Sequence, residues 1–88
     1  MMSLNTMKER LDEDKFNIGR NIRQYRMESK LTQEETIAKL KSWGIQMSRG
    51  TYSHIECGLD NIRVEELLAL AEIFEVEVGD FFKGISLR

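Results

Sequence analysis

The apolar positions of this chain recur mostly at steps of three and four residues, the spacing of one face of an α-helix. Ile18, Ile22 and Tyr25 mark such a face between Asn17 and Lys30, and Arg20, Arg23, Arg26 and Lys30 make that helix basic. Ahead of it Leu4, Met7 and Leu11 predict a short extra amphipathic helix in an N-terminal extension, residues 1–16. "TQEE" at 32–35 has the form of a capping box: the Thr32 hydroxyl can accept from the Glu35 amide, and the Glu35 carboxylate from the Thr32 amide. A helix therefore opens at Thr32 and runs through Ile37, Ala38, Leu40 and Trp43 to Gly44, a left-handed stop. Ser48 as N-cap and Gly58 as C′ residue bound a third helix, 48–57, that buries Tyr52 and Ile55. Asn61 then opens a helix with Val64, Leu67, Leu68, Ala71 and Phe74 on one face, the floor of the core.

"VEVGDFF" at 76–82 ends in a short helix carrying Phe81 and Phe82. Residues 75–78 alternate as a strand would, but nothing elsewhere offers a partner strand, so the expected fold class is all-α. Tyr52, Ile55, Leu67, Leu70 and Phe74 are expected in the core. Phe82, Ile85 and Leu87, late in the chain, suit core, tail or dimer contact.

Length and composition narrow this picture. The 88 residues fit one domain, read as 17–83 with a tail at 84–88, and the absence of proline permits uninterrupted helices throughout. An apolar share of 41% against 32% charged is that of a folded rather than a disordered chain. The single cysteine excludes an internal disulfide, and no basic region followed by a long apolar stretch opens the chain, which points to a cytoplasmic protein. The longest apolar run, "LLALA" at 67–71, is far short of the roughly 20 residues of a membrane-spanning helix.

Charge is segregated. Residues 15–58 carry eight basic and four acidic groups, whereas residues 59–88 carry three basic and seven acidic. A local positive field can therefore coexist with the overall net charge of −2. His54 and Cys57, three positions apart, could in principle form a thiol-imidazole or metal pair. Either chemistry needs a third polar partner, and the chain has no second cysteine or histidine, so no catalytic residue, metal or cofactor is expected.

A capped helix, a connection, and a second short helix entered through Ser-Arg-Gly make a helix-turn-helix candidate. "IGRNIRQYRMESKLTQEETIAKL", "SRGTYSHIECG" and "VEELLALAEIFEVEVGDFF" together resemble the Cro/CI-type (XRE-like) helix-turn-helix transcriptional regulators. The resemblance implies a five-helix, lambda-repressor-like bundle whose third helix lies in the DNA major groove while the second crosses the backbone.

By that resemblance Ser48, Arg49, Gly50, Ser53 and His54 face bases. Arg49, near the leading end, can donate two bonds to guanine. Gly50 lets the helix end come close, and His54 lies one turn later on the same outer face. Phosphate contacts are expected from Gln33, Thr51, Arg26 and Arg63, and Arg26 with Glu56 matches a structural ion pair of the family. Three features depart from the pattern: "KSWGIQM" at 41–47 lengthens the turn, Ile37 stands where the family has a small residue, and the loop at 59–63 holds Arg63 as its only cation. The expected function is sequence-specific binding of a double-stranded DNA operator by a homodimeric repressor. The alternative is a protein-interaction module, an antitoxin or adaptor, that uses the acidic C-terminal half.

Overall fold

A computed structural model describes residues 18–85. The helix expected around Leu4, Met7 and Leu11 lies outside the described residues, as does Leu87. Four α-helices follow in order: α1 (Gly19–Glu28), α2 (Gln33–Ser42), α3 (Arg49–Glu56) and α4 (Val64–Phe74), with a 3-10 helix at Val78–Phe82. There is no strand among the described residues, and the chain forms the all-α helix-turn-helix bundle.

Local chemistry sets the boundaries. At Thr32 both halves of the capping box close, Glu35 N–H to Thr32 Oγ1 at 3.0 Å and Thr32 N–H to Glu35 Oε1 at 2.8 Å. Ser48 caps α3 by accepting from Thr51 N–H at 3.1 Å. Gly44 and Gly58 turn the chain at φ +81° and +79°, a conformation open to glycine without steric cost. The fourth helix departs from expectation. It starts at Val64 with Arg63 as N-cap, not at Asn61, because the Glu66 carboxylate reaches back to the Arg63 amide at 2.8 Å.

Ile22, Leu40, Tyr52, Ile55, Leu70 and Phe81 form the center of the core, each at most 2% exposed. Phe81 is clasped edge-on by Tyr25 and Phe74, with ring centroids 5.8 and 6.4 Å away. The buried stripe of α4 is Leu67, Leu70, Ala71 and Phe74, whereas Val64 (73%) and Leu68 (49%) are exposed. The buried stripe is rotated from the expected face: Leu70 lies inside, as expected of it, whereas Leu68 and Val64 do not. On α2, Ala38 is exposed while Thr36 is fully buried, its hydroxyl donating to the Thr32 carbonyl at 2.9 Å. Asn21 fastens the 3-10 helix to α1, donating from Nδ2 to the carbonyls of Phe81 (2.8 Å) and Lys83 (2.9 Å).

Two non-glycine residues occupy the left-handed region, Lys30 at φ +59° and Glu75 at φ +57°. Lys30 closes α1, where a Cβ crowds the backbone and glycine is the usual residue. Its side chain is exposed. Lys30→Gly is therefore expected to stabilise the fold by about 0.5–1 kcal/mol in urea unfolding; a loss of stability would show that the lysine side chain outweighs the relief.

Candidate nucleic-acid interface

The starts of α2 and α3 and the exposed side of α3 make up the surface of interest. α2 packs on α3 and α4, and α1 also packs on α3, so α3 is held by two helices while the residues at its N-terminal end, 49–51, are exposed. Ser48 is N-cap, and its hydroxyl also donates to Thr51 Oγ1 at 3.0 Å, so two side chains expected at DNA are already paired with each other. Arg49 follows with its side chain 67% exposed. Its nearest charge is Glu34 of α2, Nη1 to Oε2 at 3.9 Å, a loose contact between two solvated groups. Gly50 is exposed, and a Cβ there would have nothing closer than Ser48 Oγ at 4.0 Å.

His54 also lies on the surface, but not above Arg49. A step of five residues turns about 140° around an α-helix, so the two side chains leave the helix in different directions. Its Nδ1 lies 3.5 Å from Asp60 Oδ2 in the following loop. Ser53 is half-buried, and Arg63 is an exposed cap residue at the start of α4. Cys57 is an exposed C-cap residue. Among the described residues no three His, Cys, Asp or Glu side chains come together in a way that could hold a metal ion.

Beneath α3 lies a buried polar knot. Arg26 Nε donates to Glu56 Oε2 at 2.7 Å and Nη2 to Oε1 at 3.2 Å, while Nη1 donates to the Leu31 carbonyl at 2.8 Å. The side chains are 12% and 2% exposed. Three of its five N–H donors are used inside the protein and its side chain is 12% exposed, which makes Arg26 part of the scaffold under α3. Gln33 joins the knot through Nε2 to Glu56 Oε1 at 3.0 Å, so the first residue of α2 is tied to the last residue of α3.

Burial pushes the Glu56 carboxyl up, yet the hydrogen bonds from Arg26 and Gln33 help to outweigh it and the group is held below its ordinary range. The bond to Glu56 raises the Arg26 guanidinium. Burial, and then Glu56, push the neighbouring Tyr52 phenol well above its usual value, so it stays neutral. Gln33 binding to Glu56, Glu34 facing Arg49, and Asp60 meeting His54 escaped the sequence reading. Each is a contact between different elements, for which a single chain carries no periodic signal.

Gly19 is a further residue that the apolar period does not mark. It is buried at the start of α1 against the last turn of α3, where an added Cβ would lie 2.6 Å from the Glu56 carbonyl oxygen and nearer still to that of Ile55. An isolated glycine inside a helical pattern was the available clue.

The lengthened turn runs through residues 43–48, between the end of α2 and the start of α3. The Ile45 amide donates to the Leu40 carbonyl at 3.1 Å, and Ile45, Met47 and Ile37 pack half-buried against the core. Ile37, Ile45 and Met47 together line an open hollow at the start of the turn, with Lys41, Gln46 and Ser48 at its edges. Trp43 does not pack inward and remains 54% exposed.

Residues 22–81 match the helix-turn-helix family model, about two thirds of the chain, from within α1 to within the 3-10 helix. No curated protein and no solved structure is significantly similar to the chain. None of the helices among the described residues is long and apolar enough to cross a membrane. The short helix α3 held by α1 and α2, and a family match that spans all three, place this chain in the Cro/CI-type helix-turn-helix family of DNA-binding transcriptional regulators.

Proposed function

We propose that the protein is a cytoplasmic repressor that binds a near-palindromic operator as a homodimer, with α3 in the major groove. The observation that carries this reading is the leading end of α3: exposed Arg49 and open Gly50 stand on a helix whose other end is pinned by Arg26 and Gln33 through Glu56. A guanidinium so placed can donate to O6 and N7 of a guanine. Ser48, Ser53 and His54 supply further donors to bases, and Gln33, Thr51, Arg63 and the free amides opening α2 supply phosphate contacts.

Two copies related by a two-fold axis would set their reading helices about 34 Å apart, one turn of the duplex. Phe82, 48% exposed on the 3-10 helix, and Ile85 beside it supply an apolar contact for the dimer. Because cations replace condensed counterions, operator affinity falls steeply with salt.

Selection of bound sequences from a random duplex pool tests this reading, run on the wild type and on Arg49→Ala. The wild type is expected to enrich a two-fold symmetric site. Arg49→Ala is expected to keep the fold and lose about 1–3 kcal/mol of preference at one base pair in each half-site. Enrichment of the same site with the same strength would remove Arg49 from base reading, and no enrichment by the wild type at low salt would remove the repressor reading. The alternative module, an antitoxin or adaptor, draws on the acidic second half, which carries a separate feature.

A further inference from the structure

The α2–α3 turn and the outer side of α4 enclose an open groove of about 760 Å³. Trp43 of the turn, Leu68 of α4 and Val78 of the 3-10 helix supply its apolar floor, and they are 54%, 49% and 37% exposed. Three large apolar groups left in water in one concavity are the mark of a surface that something else covers. The groove also holds three carboxylates, Glu65, Glu72 and Glu77, and no cation. The imbalance extends beyond the walls: from Val64 to Phe82 the chain has six acidic residues and no lysine, arginine or histidine.

Charge decides among the possible occupants. Nucleic acid and anionic membrane are both repelled by an all-acidic rim. A second copy meeting this patch through a two-fold axis would set the same carboxylates against themselves, which disfavours a symmetric dimer here. We infer that the groove is a docking site for a cationic amphipathic segment of another protein. Aliphatic or aromatic side chains of that segment lie on Trp43, Leu68 and Val78, and its lysines or arginines meet Glu65, Glu72 and Glu77.

No residue of α3 and no residue from the start of α2 lines the groove, so docking leaves the reading face open. Trp43 and Gly44 belong to the turn that leads into α3, so the partner would press on the segment that precedes the reading helix. The inference does not depend on operator binding, and its test uses no DNA.

Trp43 is the only tryptophan of the chain, so its emission reports docking directly. The probe is a tryptophan-free helical peptide with leucines at i, i+3, i+4 and i+7 and lysines elsewhere; its control carries glutamates in place of the lysines. At low salt the lysine peptide is expected to shift Trp43 emission to the blue in a saturable way, and the glutamate peptide to leave it unchanged. Leu68→Asp and Glu72→Lys, both at exposed positions, are expected to keep their helical circular dichroism and to weaken the lysine peptide at least about tenfold, the effect of removing one anchor of an interface.

The inference is overturned if the lysine peptide gives no saturable shift, if both peptides act alike, or if the two variants bind it as the wild type does. It is also overturned if Trp43 emission shifts with protein concentration alone while sedimentation shows self-association, because the occupant is then a second copy.

Discussion

Glu56→Ala is expected to destabilise the fold by about 3–5 kcal/mol, the largest loss for any single polar substitution in this domain. The reason is what stays behind. Arg26, 12% exposed, would keep its positive charge under α3 with only the Leu31 carbonyl to receive it, and Gln33 would lose its acceptor as well. The pair itself contributes much less than that loss, because bringing both charges out of water offsets most of their attraction. Arg26→Met combined with Glu56→Leu is therefore expected to cost less than the two single substitutions added together. Urea unfolding of the four proteins measures this; strict additivity would mean that the two side chains stabilise the fold independently.

The same carboxyl gives the stability a pH dependence whose sign is fixed. Its folded-state pKa is below its ordinary 4.5, so the folded form holds its proton less tightly than the unfolded chain does. The resulting stabilisation is fully present above that ordinary value and is lost as pH falls through the folded-state value. Wild type is expected to lose stability on acidification below about pH 4.5, and Glu56→Gln to lose less over that interval. Equal acid slopes in the two proteins would assign the acid sensitivity to other carboxylates.

How much of this could be read from the chain depends on the range of each interaction. Capping is local, and Thr32, Glu35, Ser48 and Gly58 take in space the roles their spacing assigns. The core residues Tyr52, Ile55, Leu67, Leu70 and Phe74 are all buried, because a helical period constrains burial along an element. The period is less exact about the edges of a stripe, which is why Leu68 and Val64 fall on the expected face yet stay exposed. On α4 the two candidate faces differ by one residue, and only the position of α2 and the 3-10 helix selects between them.

Contacts between elements were legible only where a resemblance supplied them, as for Arg26 and Glu56. The pairing of Asp60 with His54 and of Glu34 with Arg49 depends on how a loop and a helix start are laid beside α3, and neither spacing nor composition encodes that. The long turn shows the same limit. Its extra length is plain in the sequence, but the exposure of Trp43 beside the acidic side of α4 required the packing of α2 on α4.

Gly19→Ala is the substitution for which helix propensity and packing predict opposite signs. Alanine in place of glycine inside a helix ordinarily stabilises by up to about 1 kcal/mol. At Gly19 the new Cβ would meet main-chain carbonyls of Ile55 and Glu56, and main chain cannot turn away as a side chain can. α1 must move off α3, at a cost of about 3 kcal/mol, and the separation opens the Arg26 knot that pins α3. Both stability and operator affinity are expected to fall. Gly50→Ala on α3 itself is the matched case. Its Cβ has open space, so stability is expected to rise by up to about 1 kcal/mol, while affinity falls if the start of α3 meets the bases closely. Thermal unfolding with operator titration of both variants separates the two effects. A Gly19→Ala protein more stable than wild type would mean that α1 and α3 do not approach as closely as their carbonyl contacts require, and the anchoring of α3 through Glu56 would fail with it.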